Sequence, residues 1–351
     1  SLISDDDDTL LNMSLSAYGI NFEKEILGLG ENAEVWMWNR FIKNNVNPDS
    51  NFHLCGKLTL RIGVDENQVA NIDVEPRIGV DDGIEGYSAG SALGYEREGR
   101  GDLIGGYLMG ADPTDIETCQ NLLKQAGILG WRNFWIEPAC WDIIGKSKGV
   151  PVYELLGGEQ RPIEVYCSTG EMHEPEKRVE ELLAMKERGF KTAKLRVKNK
   201  ELKDDIRHIE VVRKGVGDRL VLGVDANQGW LVTIVDKIPA WDLKRATEFA
   251  DACHANNYNW LEEPLDSRNY DDNAALKKVS KVKISGAELN YGWDEIKIML
   301  EKDCFHIYQP DATFAGGIAQ VKKVIDACHA HNREYSPHTW TNGIGFYVNW
   351  N

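Results

Sequence analysis

The 351-residue chain contains no apolar run near the roughly 20 residues that span a bilayer; its longest runs, such as 220–224, are short. Its first residues offer no basic region followed by an apolar stretch. Asp5–Asp8 stand there instead, so no secretory leader is expected. The seven cysteines (55, 119, 140, 167, 253, 304, 328) never form a CxxC pair, and their number is odd. A disulfide framework is therefore disfavoured, and reduced thiols in a cytoplasm are expected. No GxGxxG follows any expected strand, which weakens a dinucleotide-binding reading. Positive charge is scarce: 40 Lys and Arg face 56 Asp and Glu, a net charge of −16. Such a chain repels phosphate backbones and anionic lipid, so neither nucleic acid nor a membrane surface is an expected partner.

What is present is an ordinary globular composition, 42% hydrophobic, in a chain long enough for about two domains. Residues 57–64, 77–80 and 84–87 read as antiparallel strands, with Asp82-Gly83 at a hairpin turn. Residues 115–126 and 139–148 read as helices. Pro113 and Thr114 start the first, and Gly149-Val150-Pro151 stops the second. From residue 163 the pattern changes. Strands are expected at 163–167, 192–197, 220–224, 260–261, 282–285, 305–308 and 334–336, with amphipathic helices near 175–188, 201–214, 240–256, 270–279, 292–301 and 317–331. Regular βα alternation implies parallel strands, and this many in one run suggests a barrel. A complete barrel needs an eighth strand, so the C-terminal end is expected to be truncated.

Polar residues stand at the end of almost every barrel strand. They are Lys194 and Arg196, Asp225 and Asn227, Glu262 and Glu263, Glu288, Asp311, and His338. Residues two apart on a strand face the same side, and barrel enzymes keep their sites at these strand ends. One such acid alone is as readily a helix N-cap. Asp225, Glu262 and Glu288 on three successive strands are different: converging carboxylates repel unless a cation joins them. An all-oxygen set favours Mg²⁺ first and Mn²⁺ second.

The segments Ala139-Cys140-Trp141-Asp142-Ile143-Ile144-Gly145-Lys146 and Pro151-Val152-Tyr153-Glu154-Leu155-Leu156-Gly157-Gly158 resemble the enolase superfamily, mandelate racemase subgroup. So do the motifs at 224–228, 260–264, 286–288, 310–311 and 337–338. The likeness runs from about 77 to 345. It implies an α/β fold, a (β/α)7β modified TIM barrel at 131–351 with an N-terminal α+β capping domain at 1–130. It also implies one Mg²⁺ stabilising an enediolate made from a carboxylate substrate. A homo-oligomer is expected. On the matching positions Asp225, Glu262 and Glu288 would hold the metal, Asp311 and His338 would form a His–Asp dyad, and Asn227 would touch substrate.

One position departs from the subgroup's Lys-x-Lys. The first lysine matches Lys194, but the second, usually a base, is Arg196. Holding arginine neutral at pH 7 costs roughly 7 kcal/mol, whereas a histidine near its ordinary pKa costs almost nothing. His338 is therefore the expected proton acceptor, with Asp311 fixing its tautomer. Arg196 is read as a cation for the substrate carboxylate or for a metal ligand, and Lys194 as a further candidate base. With one good base, β-elimination of water is expected, and the resemblance implies an acid sugar (an aldonate or aldarate) as the substrate. A racemase, epimerase or cycloisomerase is the alternative. His173 is a candidate substrate contact. His208, His254, His329 and His331 are expected to be solvated, and His306 to be a satisfied core residue. Two rivals belong to other classes. Gly86-Tyr87-Ser88-Ala89-Gly90 matches a serine hydrolase elbow, which needs a parallel strand before it and a helix directly after. A non-catalytic regulatory barrel would fit the loss of the second lysine.

Overall fold

A computed structural model describes residues 2–5, 8–11, 34–38, 53–61, 73–79, 84–88, 104–105, 107–108, 110–128, 132–170, 172–230, 239–340 and 343–351. Two compact units are present. One comprises Ser1–Gln160, Asp311–Gln320 and Thr339–Asn351; the other comprises Arg161–Pro310 and Val321–His338.

In the first unit, β1 (Leu2–Asp5) and β2 (Asp8–Leu11) pair antiparallel. Strands β3 (Glu34–Trp38), β4 (His53–Arg61), β5 (Asp73–Gly79) and β6 (Glu85–Tyr87) form an antiparallel meander in chain order. The expected hairpin strands are therefore present, with Leu58 opposite Val74 and Arg77 opposite Tyr87. The expected Asp82-Gly83 turn lies outside the described residues, as does the segment directly after Ser88. Helix α1 is Ile116–Ala126, and its N-cap Asp115 accepts from the Thr118 N–H at 3.1 Å. Helix α2 (Glu137–Lys148) carries Pro138 in its first turn and ends at Gly149, whose φ of 64° closes the helix without steric cost. A single turn, α3, follows at Val152–Leu155. Leu123 of α1 and Ile143 of α2 share a buried cluster with Ile104, Leu108, Trp135 and Ile136. Strand β6 lies close on α2: a Cβ at Gly86 would run into the Ala139 carbonyl. These contacts place residues 137–160 in the first unit.

The second unit alternates strand and helix. In chain order they are β7 (Cys167–Ser168), α4 (Pro175–Glu187), β8 (Thr192–Arg196), α5 (Leu202–Val216), β9 (Val221–Asp225), α6 (Leu243–Ala255), β10 (Trp260–Glu262), α7 (Tyr270–Val279), β11 (Lys283–Gly286), α8 (Gly292–Glu301), β12 (Ile307–Tyr308), α9 (Gly317–Ala330) and β13 (Glu334–Tyr335). The last helix, α10 (Gly343–Trp350), returns to the first unit. The seven strands lie side by side in sequence order, all parallel, as in a TIM-type barrel. An eighth strand is not among the described residues.

The helices fall within a few residues of their expected bounds because their apolar spacing is regular. The expected strand at 163–167 does not: only Cys167 and Ser168 pair, while Ile163 and Val165 are 46% and 52% exposed. His208 is buried and not solvated. It lies on the face of α5 formed by Asp205, Ile209, Val212 and Val216, a spacing of three and four residues. Burial pulls its pKa down to about 4, with Arg178 acting in the same direction. His254, His329 and His331 are exposed as expected, and the His306 Nδ1 accepts from the Ile284 N–H. No helix of the described residues is long and apolar enough to cross a membrane.

Candidate active site

Strand register aligns the C-terminal ends of three successive strands. Arg196 of β8 lies opposite Asp225 of β9, which lies opposite Glu262 of β10. Lys194, two residues before Arg196, is buried, with its ammonium 3.1 Å from Asp225 Oδ2 and also bonded to Glu262 Oε1. The second oxygen of Glu262 accepts from Trp260 Nε1 at 3.2 Å and Gln309 Nε2 at 2.9 Å. Gly223 makes this possible: it stands opposite Trp260, and a Cβ there would overlap the indole ring. Two neutral donors thus fix the Glu262 carboxylate with its other oxygen turned to positive charge.

Arg196 is held from three sides. Its Nε donates to the Thr169 carbonyl at 2.9 Å, one terminal nitrogen donates to Asn227 Oδ1, and that nitrogen is 3.6 Å from Asp225 Oδ2. Asn227 adopts φ of 46°, where Asn is among the better tolerated residues, and its N–H donates to Asp225 Oδ1 at 2.8 Å. Glu288 follows β11. It accepts from Trp230 Nε1 at 3.2 Å, and its Oε2 is 3.2 Å from His338 Nε2. Glu263 is buried beside it, and its Oε2 finds no hydrogen-bond partner among the described residues.

The charges do not balance locally. Asp225 and Glu262 share the Lys194 ammonium and Arg196 lies beside Asp225, while Glu263 and Glu288, also buried, have no Lys or Arg paired with them among the described residues. Burial would push Asp225 up, but Lys194 and Arg196 reverse this and hold it below the usual carboxylate range. Burial alone would lower Lys194, yet Asp225 and Glu262 keep its ammonium firmly charged. Burial raises Glu288; His338 opposes that shift, while Asp225 and Glu262 add to it. Glu263 is driven well upward by burial and by Glu288.

The donor set is chemically suited to a hard divalent cation: buried carboxylate oxygens in excess of positive charge, already sharing one cation, the Lys194 ammonium. They are not drawn onto one point. Among the described residues, no three His, Cys, Asp or Glu side chains stand close enough to hold an ion. The Lys194 ammonium fills the space between Asp225 and Glu262.

Asp311 is fully buried in the first unit. Its Oδ1 accepts from the Thr313 N–H and hydroxyl at 2.8 and 2.7 Å and from Asn349 Nδ2 at 2.9 Å, and its Oδ2 accepts from the Trp340 N–H at 3.3 Å. His173, after β7, is 2.6 Å from Glu181 and 3.3 Å from Lys177, both on α4. Ser88 does not fit a nucleophile elbow. It follows an antiparallel strand, is fully buried, and donates to the Trp135 carbonyl. Sequence reasoning missed Gln309 and Trp260. Trp260 lies two residues before Glu262 on the same strand, and that shared face is the signal that would have found it; Gln309 meets Glu262 across 47 residues, and no local signal marks it.

Comparison with known proteins places this geometry in a family context. Residues 177–350 match the enolase C-terminal domain-like family, and residues 60–157 match the mandelate racemase / muconate lactonizing enzyme N-terminal domain. The L-talarate/galactarate dehydratase of Salmonella typhimurium is 30% identical over 240 residues, covering 66% of this chain and 58% of that protein. The chain thus spans under two thirds of the length of that relative. The crystal structure of the 3,6-anhydro-D-galactonate cycloisomerase from Zobellia galactanivorans superposes with a TM-score of 0.71 at 27% identity, covering 85% of this chain and 82% of that one. The Salmonella dehydratase liganded with Mg and L-lyxarohydroxamate gives a TM-score of 0.68 at 26% identity, covering 80% and 71%.

Proposed function

The chain belongs to the mandelate racemase / muconate lactonizing enzyme group of the enolase superfamily, and from that premise we propose that it is a Mg²⁺-dependent acid-sugar dehydratase of the cytoplasm. The observation that carries the reaction type is the state of Arg196. Its guanidinium is engaged by Thr169, Asn227 and Asp225, and it stands where the family's second lysine would serve as a base. Racemisation and epimerisation need a second base on the opposite face; dehydration does not.

Asp225, Glu262 and Glu288 would hold the ion, and a bound Mg²⁺ supplies positive charge beside the substrate carboxylate, lowering the barrier to loss of the α-proton. His338 Nε2 faces the carboxylate cluster and takes that proton. Asp311 holds the ring in the tautomer that leaves Nε2 unprotonated at the start. His338 then hands a proton to the departing 3-hydroxyl on the same side, a syn elimination. Tautomerisation of the enol gives a 2-keto-3-deoxy acid. Arg196 and Asn227 bind the polar substrate. The substrates are aldonates or aldarates, and the protein acts as a homo-oligomer.

A panel of acid sugars with Mg²⁺, assayed for 2-keto acid, tests this. Turnover should vanish on chelation, and in His338→Asn with Mg²⁺ affinity retained. Activity that survives full chelation would overturn the proposal.

A further inference from the structure

We propose that Asn349, on α10, is a positioning residue for Asp311, and that its amide cannot be exchanged for a carboxylate. The inference rests on the reading of Asp311 as the partner of His338.

Asn349 grips the Asp311–Ala312 peptide at two points. Its Oδ1 accepts from the Ala312 N–H at 2.8 Å, and its Nδ2 donates to Asp311 Oδ1 at 2.9 Å. The same Nδ2 donates to the Gly345 carbonyl one helical turn back, at 3.1 Å. Only one orientation of the amide satisfies all three partners. A flipped amide would set its oxygen against a carboxylate and a carbonyl, and its NH₂ against an N–H. The bonds from Thr313 to Asp311 come from the same turn and move with it. Asn349 is 38 residues away on a separate helix, so it fixes the carboxylate relative to α10. The Trp340 N–H on Asp311 Oδ2 is a second such anchor, two residues along the chain from His338.

A carboxylate that must hold one imidazole tautomer has to be fixed in direction and remain an acceptor. Asn349 meets both needs, because it donates to the oxygen it fixes. Aspartate has nearly the same shape but would bring a second negative charge within 2.9 Å of Asp311. Alanine would leave space and lose all three bonds.

The experiment compares N349A, N349D and D311N in the intact protein for kcat and KM on the acid sugar it turns over, for Mg²⁺ affinity, and by crystal structures of wild type and N349A. Asn349→Ala should lower kcat roughly 10- to 100-fold with KM and Mg²⁺ affinity nearly unchanged, as for outer residues that orient a reacting group. Asn349→Asp should be at least as poor. A space-filling role predicts the reverse order, with the isosteric N349D close to wild type, and that result overturns the proposal. So does an Asp311 carboxylate that keeps its rotamer and its place in the N349A crystal, a readout that needs no turnover. D311N separates the two readings. If it stays fully active, the dyad fails. If it is dead while N349A and N349D have normal kcat, the dyad stands and the positioning role fails.

Discussion

Removing the Lys194 ammonium is the sharpest perturbation of the cluster. In Lys194→Met two buried carboxylates lose their shared cation. Asp225 keeps only the Asn227 N–H at 2.8 Å and Arg196 at 3.6 Å, while Glu262 keeps the neutral donors Trp260 and Gln309. Deleting one partner of a buried ion group costs about 3–5 kcal/mol, since the other charges stay desolvated. At about 2–4 °C per kcal/mol for a domain of this size, the midpoint should fall on the order of 10 °C. The loss depends on pH. Without the ammonium, burial lifts the folded-state pKa of Asp225 above its unfolded value. The variant's stability then falls as pH rises through that raised value, so the gap from wild type should be widest near pH 8 and narrowest near pH 4. A divalent cation should reverse it. If the ion binds the folded state alone, a 100-fold excess over its Kd restores about 2.7 kcal/mol. The assay is thermal and urea unfolding of wild type and variant, in EDTA and then in Mg²⁺, at both pH values. Equal stabilities in EDTA at pH 8 would refute the account of charge in the cluster. A variant insensitive to Mg²⁺ would remove Asp225 and Glu262 from the metal site.

Glu137 accepts from the Ile318 and Ala319 N–H groups at 2.8 and 3.0 Å and from Trp141 Nε1 at 2.9 Å, joining α2 to the first turn of α9. Glu137→Ala should cost roughly 3 kcal/mol in urea unfolding, because several buried donors lose an acceptor, and Glu137→Gln should cost less; wild-type stability in E137A would refute the anchoring role. Because the folded pKa of His208 lies near 4, below its ordinary 6.5, the unfolded chain gains a proton first as pH falls, and stability drops between those values. His208→Phe should flatten that decline in urea midpoints measured from pH 7 to 4; an unchanged slope would show that another group carries it.

The barrel repeat and its acidic strand ends were legible because both are local patterns. A strand of few residues ending in an acid, followed by an amphipathic helix, is visible within one stretch of chain. Register then aligns Arg196, Asp225 and Glu262 automatically. The supports were not legible, because their partners are far apart in sequence. Gln309 meets Glu262 across 47 residues, and Glu137 meets Ile318 across 181. No local pattern encodes such distances. His208 was legible in principle, since its spacing to Asp205 and Val212 marks a buried helix face, but a polar residue on a helix reads first as solvated. The strand expected at 163–167 failed for the opposite reason. Its alternation is good, but pairing needs a neighbour, and only Cys167 and Ser168 have one.

One-base dehydration by His338 and two-base epimerisation leave different products in deuterated solvent. The direct measurement is NMR of an acid-sugar panel incubated in D₂O with Mg²⁺ and the protein, alongside His338→Asn. A 2-keto-3-deoxy acid should form from at least one 2,3-dihydroxy acid, be lost completely in His338→Asn, and be accompanied by no deuterated epimer. Deuterium at the α-carbon of a recovered epimer, with no keto acid from any acid sugar, would contradict one-base dehydration.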